Sequence, residues 1–188
     1  VYKLDTVTDT LAANPVVNTI PLGHKVVYMY FSNDVLSIVT EWSGVINIYQ
    51  FQYSSDFSQY DYTYKTILYE KKIKSVLGKN WVMYILCQNG KLYQVVWYQT
   101  AKIYEISPTI WNTYAELTIT GEKIFLATDL WLYRLDIRQS VRMWQVSNIE
   151  AAKVSNGYIV GKYVFEQEVL TTGNIRKWYA ESIFAISD

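Results

Sequence analysis

Short runs of alternating apolar and polar residues recur along this chain, and turn residues bound each run. Val, Ile, Tyr, Trp and Thr dominate runs such as 91–98 and 123–128, and these residue types favour β-strands. The longest helical candidate, 101–117, is interrupted by Pro108 and fits a strand followed by a loop equally well. The pattern therefore predicts an all-β fold.

A longer repeat is superimposed on this alternation. A strand, a polar turn, a second strand, a glycine turn and a third strand recur about every 40 residues, which is typical of one four-stranded β-propeller blade. The four copies begin at Phe31, Leu77, Ile119 and Val154. The repeat predicts a propeller of four to five recognisable four-stranded blades.

Glycines support this alignment because most of them occupy two turns of the repeat. Gly44, Gly90 and Gly173 precede the third strand of a copy, where a tight hairpin demands a positive φ. The third copy has Leu130 at this position, so we expect a different turn there. Three further glycines lie at or near the preceding turn, namely Gly78, Gly121 and Gly157.

Fourth strands follow the third at similar spacing, at 65–70, 102–107, 141–147 and 182–187. The N-terminal residues 1–6 and 16–20 read as the last two strands of a further blade. We therefore expect a single propeller-like domain over 1–188, with a half blade at 1–22 and full blades at 23–72, 73–108, 109–148 and 149–188. The longest predicted loop, 53–64, interrupts the first full blade.

Segment 22–50 resembles the WD-repeat family. Gly23-His24 is similar to the dipeptide that opens such repeats, and residues 32–34 are similar to the turn after the innermost strand. In the third copy, Leu135-Asp136 stands in the place of the Trp-Asp pair, while Gln50 replaces that aspartate in the first copy. The sequence of the third copy is also similar to sequences in the propellers of mitotic-checkpoint and messenger-RNA-export proteins. The resemblance implies a propeller that binds other proteins.

Four and a half blades do not obviously close a ring. The chain is either a compact ring whose N-terminal strands lock the last blade, or part of a larger assembly, or an open propeller that a partner completes by donating strands. An open blade edge is a row of unpaired backbone groups that something must cover.

Composition excludes several function classes. Of the 188 residues, 51% are hydrophobic and 16% are aromatic, and the formal net charge is zero, which is typical of a globular protein. Neutral charge argues against a protein that works mainly by coating nucleic acid, and no apolar run of the roughly 18–20 residues needed for a membrane span is present. Cys87 is the only cysteine, which favours a reducing, intracellular compartment, either cytoplasm or nucleus.

Candidate chemistry is sparse. His24 is the only imidazole, and its Gly-His context favours a structural hydrogen bond over general-base catalysis. Cys87 reads as a core thiol, and one His with one Cys excludes a structural zinc site. Glu41, Asp129 and Glu168 lie near equivalent turns and could form a carboxylate site for glycoside hydrolysis. We favour solvated turn charges instead, and expect no catalytic residue, cofactor or metal.

Aromatic residues outside the strands are the best candidates for partner contacts. Trp42 lies beside Glu41 at a turn and Trp111 lies in the loop after Pro108, and exposed aromatic residues at such positions are enriched in protein interfaces. The expected partner-binding residues are Glu41, Trp42, Tyr60, Tyr62 and Trp111.

The sequence therefore predicts a non-catalytic scaffold that docks a peptide or a protein subunit of a larger complex. Two alternatives remain open. One is a carbohydrate-binding or glycoside-hydrolysing propeller that uses rim carboxylates, and it predicts a raised carboxylate pKa. The other, weaker alternative is single-stranded nucleic-acid binding, in which the abundant aromatic residues would stack on bases.

Overall fold

The computed structural model describes residues 4–5, 10–11, 20–21, 23–53, 60–70, 72–97, 99–137, 142–155, 157–169 and 174–186. Within these residues the secondary structure consists of β-strands and one short 3-10 turn. The predicted all-β class is confirmed. In the same part of the chain, no helix is long and apolar enough to cross a membrane.

The strands form antiparallel sheets in which neighbours along the chain are neighbours in the sheet. A small N-terminal sheet pairs β1 (Leu4–Asp5) with β2 (Thr10–Leu11). The first large sheet has the order β3-β4-β5-β6. Its strands are β3 (Lys25–Ser32), β4 (Val35–Trp42), β5 (Val45–Tyr53) and β6 (Tyr60–Leu68).

The next two sheets repeat this four-stranded arrangement. The second contains β7 (Ile73–Lys79), β8 (Val82–Cys87), β9 (Lys91–Val96) and β10 (Gln99–Glu105). A 3-10 turn at Pro108–Ile110 leads to the third sheet. That sheet contains β11 (Ala115–Thr120), β12 (Lys123–Thr128), β13 (Leu132–Asp136) and β14 (Arg142–Ser147).

The fourth large sheet differs from the other three because it has only three strands in the described chain. They are β15 (Ile149–Ser155), β16 (Tyr158–Val169) and β17 (Asn174–Ala185). Strands β16 and β17 pair without interruption over 12 residues each. Each of the four large sheets lies inside one of the segments predicted as full blades.

The chain divides into two compact units. Unit 1 contains Val1–Lys72, Gly78–Val82 and Val95–Thr100, and unit 2 contains Ile73–Leu77, Met83–Gln94 and Ala101–Asp188. In unit 1, Leu36, Ile38, Tyr49 and Phe51 form a buried cluster on β4 and β5. In unit 2, the third and fourth sheets pack through a cluster composed of Phe125, Ala127, Leu132, Ile149, Ala151, Val154 and Ile159.

The hairpin turns explain why the sequence repeats its glycines. Gly44 and Gly90 have φ values of +76° and +88°, as predicted, and these values are costly for residues with a Cβ. Gly173 lies outside the described residues. Gly78 does not have a positive φ; a Cβ at this position would meet the ring of Tyr30 at less than 3.0 Å. Gly78 is therefore required by close packing.

The third sheet closes its second turn without glycine, as the sequence predicted. The Thr128 hydroxyl accepts hydrogen bonds from the Leu130 and Trp131 amides at 3.1 and 2.9 Å. The Thr128 amide donates to the Trp131 carbonyl at 3.0 Å. A side chain of β12 therefore satisfies two amides of this turn.

Three predicted boundaries are wrong. The fourth strand of the second sheet, predicted at 102–107, begins at Gln99 and ends at Glu105. The fourth strand of the first sheet begins at Tyr60, so residues 60–64 belong to a strand instead of the long loop 53–64. The fourth strand predicted at 182–187 does not exist as a separate element, because β17 continues to Ala185. No Gly, Pro, Asn or Asp occurs between Tyr179 and Ser187, so nothing in the sequence makes a turn there. The N-terminal strand predicted at 16–20 lies almost entirely outside the described residues.

Candidate functional site

The residues around His24 form a structural cluster in the first sheet. The His24 Nδ1 atom is 3.0 Å from the Thr40 hydroxyl and 3.4 Å from the Tyr49 hydroxyl. The imidazole also stacks on Trp42, with a centroid distance of 5.1 Å and an interplanar angle of 11°. These contacts tie the loop before β3 to β4 and β5, which agrees with the expected structural role of His24.

Glu41 and Trp42 occupy the end of β4. Glu41 is half-buried and lies directly opposite Lys25 on β3. Trp42 is 50% exposed although one face of its ring contacts His24. The exposed part of Trp42 is available to a partner, and the partner-binding role of both residues stays a prediction.

The other predicted contact residues do not join them in one site. Trp111 is only 6% exposed, so our expectation of an exposed loop aromatic is wrong for this residue. Trp111 follows the 3-10 turn directly, and its side chain is buried there. Tyr60 and Tyr62 lie in β6, and their side chains are outside the described part of the structure.

The three carboxylates considered for hydrolysis are not brought together within one unit. Glu41 belongs to unit 1 and Asp129 to unit 2, while the Glu168 side chain is outside the described part. Asp129 accepts hydrogen bonds from the Asn112 amide at 2.8 Å and the Thr113 amide at 2.7 Å. Partial burial raises the pKa of Asp129, but these bonds outweigh it and hold the pKa below its ordinary value. The raised pKa that catalysis requires is not found at Asp129.

Strand β17 provides an exposed sheet edge. In the described structure it pairs with β16 and with no second strand. Its described side chains from Trp178 to Ser182 are all exposed, and Tyr179 and Ile183 are 54% and 66% exposed. A long edge strand with exposed apolar side chains is a template for another strand.

Charged residues cross the fourth sheet in a single row. Glu150 of β15 is the direct partner of Lys162 of β16, and Lys162 is the direct partner of Glu181 of β17. The Lys162 ammonium is 3.1 Å from the Glu181 carboxylate and 5.6 Å from the centroid of the Tyr179 ring. The hydrogen bond and the charge of Glu181 raise the pKa of Lys162 above its ordinary value. The row alternates in sign and ends in a carboxylate at the sheet edge.

A groove of about 1020 Å³ runs along this face of the fourth sheet. Thr113, Tyr114 and Asp129 line it from the side of the third sheet. The fourth sheet contributes Glu150, Val160, Lys162, Glu181 and Ile183. We call this surface, together with the exposed edge of β17, the β17 groove.

Tyr114 illustrates how polar this groove is. Its hydroxyl donates a hydrogen bond to the Glu116 carboxylate at 2.6 Å. Burial, followed by the bond and the charge of Glu116, raises the pKa of the Tyr114 phenol above its ordinary value. The single proton of the Tyr114 phenol is therefore donated to Glu116 within the protein.

Sequence reasoning missed the β17 groove because it divided β17 into two strands. The absence of Gly, Pro, Asn and Asp between Tyr179 and Ser187 could have indicated a single continuous strand. No group of three or more His, Cys, Asp or Glu side chains suited to a metal ion occurs among the described residues.

Comparison with known proteins finds a structural similarity but no matching protein family. No family model and no curated protein matches the chain. The crystal structure of the computationally designed Ika4 protein is similar, with 10% sequence identity and a TM-score of 0.51. The match covers 89% of this chain and 99% of that chain. At this identity the similarity concerns the all-β fold alone.

Proposed function

We propose that this chain is a non-catalytic protein-interaction module that binds an extended segment of a partner protein as an additional strand along β17. The observation that supports this proposal is the strand number of the fourth sheet. Three sheets place four strands in chain order, whereas the fourth sheet follows the same order and, among the residues that the structure describes, stops at its third strand. The position beside β17 is the one that a fourth strand occupies in the other sheets.

The physical basis of binding is backbone pairing. An edge strand presents amide and carbonyl groups that gain partners when an extended segment is added, and alternate side chains of that segment provide specificity. Every sheet has edges, but among the four large sheets of the described chain the edge of β17 is the one at which the repeat places a further strand. The exposed Trp178, Tyr179 and Ile183 side chains would be covered by such a segment.

This proposal includes the propeller architecture. Four sheets in blade order, the last completed by a partner strand, fit an open propeller. The resemblance to WD repeats is supported by the contact between His24 and Thr40, which links the loop before β3 to the second strand of its sheet. We also propose an intracellular protein, since Cys87 is buried in the core and is the only cysteine.

No observation favours the hydrolytic alternative to the same degree. A glycosidase needs one carboxylic acid with a raised pKa, and the pKa of Asp129 is lowered. Single-stranded nucleic-acid binding would need a basic groove, whereas the described side chains that line the cavity beside β17 include Asp129, Glu150 and Glu181 along with Lys162.

A display library of random nine-residue segments tests the proposal, with two variants as a matched pair. Ile183→Lys places a charge on β17, and Met29→Lys places the same charge on β3, an edge strand of the first sheet. Both side chains are well exposed, at 66% and 58%, so both variants should fold. We expect selected segments to bind the wild type and Met29→Lys equally, and to lose at least 10-fold in affinity with Ile183→Lys.

Two results would contradict the proposal. In one, the library yields no binding segment. In the other, the selected segments bind Ile183→Lys as tightly as the wild type, which would place the site elsewhere. Sedimentation of the chain alone tests a different occupant: if β17 pairs with β17 of a second copy, the wild type would dimerise and Ile183→Lys would be monomeric.

A further inference from the structure

We infer that the partner segment carries a lysine or arginine directly opposite Glu181, with a bulky apolar residue two positions away on each side. This inference rests on the proposed function and specifies the kind of segment that the β17 groove accepts.

The cation is required by the charge row of the fourth sheet. Glu150, Lys162 and Glu181 are successive direct partners across β15, β16 and β17. Opposite charges on directly opposite residues stabilise a sheet, and like charges there destabilise it. The next strand in this row therefore needs a positive charge. Among the described residues Glu181 ends the row, and its carboxylate forms an ion pair with Lys162 at 3.1 Å.

The third sheet shows how this protein makes the same pairing with a fourth strand of its own. Asp136 of β13, the third strand, lies directly opposite Arg142 of β14, the fourth strand. In the first sheet, Lys65 of β6 lies directly opposite Tyr49 of β5, with its ammonium 5.6 Å from the ring centroid. Fourth strands of this chain thus already place cations opposite acidic or aromatic residues of the third strand.

The apolar positions follow from the residues that flank Glu181 on the same face. Side chains two positions apart in a strand point to the same face, so Tyr179 and Ile183 accompany Glu181. Ile183 is the direct partner of Val160, and the two are 66% and 48% exposed. An apolar side chain opposite Ile183 would extend this pair, and one opposite Tyr179 would cover the ring.

A second copy of the chain is a poorer occupant for the same reason. If two β17 strands paired antiparallel about Glu181, the two Glu181 carboxylates would face each other. Like charges in this position oppose pairing and act as a device against edge-to-edge association. The acidic end of the row thus selects a cationic segment and disfavours self-pairing.

The test uses three synthetic peptides that differ at one position. The first has the sequence Thr-Ile-Thr-Lys-Thr-Ile-Thr with Gly-Ser ends and a fluorophore, and the others replace lysine by norleucine or by glutamate. Binding to the full chain is measured by fluorescence polarisation. The glutamate peptide should bind between about 2-fold and 30-fold more weakly than the lysine peptide, and norleucine should be intermediate. The preference should shrink at high salt because exposed charges are screened.

Charge reversal in the protein provides the decisive control. Glu181→Lys should invert the preference, so that the glutamate peptide binds better than the lysine peptide. Glu105→Lys is the matched control, because Glu105 is also an exposed strand glutamate that pairs with a lysine, Lys102, at 3.0 Å. This control has the same change in net charge and should keep the wild-type order.

The outcomes separate this inference from the proposed function. Equal binding of all three peptides, with weakening by Ile183→Lys, would overturn the inference and leave strand addition intact. A preference for lysine that Glu105→Lys abolishes as fully as Glu181→Lys would overturn it too, since net charge would then explain the effect. If none of the peptides and no library segment binds, both proposals are wrong.

Discussion

Gly44 and Gly90 permit a clean test of the turn geometry, because they share a backbone conformation and differ in their surroundings. Both precede the third strand of a sheet, with φ values of +76° and +88°. A Cβ added at Gly44 would meet no atom within 4 Å. A Cβ added at Gly90 would overlap the Ile106 carbonyl oxygen and would contact Pro108 Cδ at 3.5 Å.

The expected costs follow from these differences. Gly44→Ala should lower the free energy of unfolding by about 1–2 kcal/mol, the cost of a left-handed conformation for an L-residue. Gly90→Ala has this cost as well and must also displace the backbone at Ile106, which adds about 1–3 kcal/mol of overpacking. The displacement would break the 2.8 Å hydrogen bond from the Ile106 amide to the Gly90 carbonyl, at about 1 kcal/mol. We therefore expect Gly90→Ala to be destabilised by about 2–4 kcal/mol more than Gly44→Ala.

Equilibrium urea unfolding of the two variants and the wild type, followed by circular dichroism, measures this difference. Equal destabilisation of the two variants would refute the reasoning, because it would mean that φ alone determines the cost and that the contact at Ile106 is absent in solution.

Three further predictions concern a turn of the third sheet, at Thr128 and Asp129, and the close packing at Gly78 in β7. Thr128→Val removes the hydroxyl that accepts two turn amides, so its free energy of unfolding in urea should fall by about 1–3 kcal/mol; an unchanged midpoint would contradict the turn. Asp129→Asn should be less stable than wild type at neutral pH, because a lowered folded-state pKa stabilises the fold above the unfolded-state value of about 4. The difference in urea midpoint between the wild type and Asp129→Asn should shrink as the pH is lowered through the folded-state pKa of Asp129. A difference that does not depend on pH would show that the charge of Asp129 does not stabilise the fold. Gly78→Ala should destabilise the fold through the Tyr30 ring, and combining it with Tyr30→Ala should give less than the sum of the two single losses; strict additivity would exclude the contact.

The strand periodicity and the turn chemistry could be predicted from sequence because both are local. Alternating apolar and polar residues mark the strands. A turn position with a positive φ, such as Gly90, favours glycine because of its own backbone conformation. The different turn at Leu130 was also predictable, since no glycine is available there. Most strands of the first three sheets follow from these signals, apart from the early starts of β6 at Tyr60 and of β10 at Gln99.

The candidate site depends on long-range pairing, which the sequence does not display. The burial of Trp111 is determined by tertiary packing, so its position after Pro108 did not indicate whether its side chain is exposed. The continuity of β17 is determined by its pairing with β16 over 12 residues, and a repeat-based alignment placed a break there. The row from Glu150 to Glu181 becomes visible only when the register is known.

Hydrogen exchange along β17 tests the central claim most directly. Backbone amides of 178–185 would be followed by mass spectrometry in the free chain and with the lysine peptide at saturating concentration. Strand addition predicts slower exchange in this segment and unchanged exchange in β3 (Lys25–Ser32), the edge strand of the first sheet. If the peptide binds and exchange along β17 is unchanged, the partner does not pair with this edge, and the proposed function is wrong.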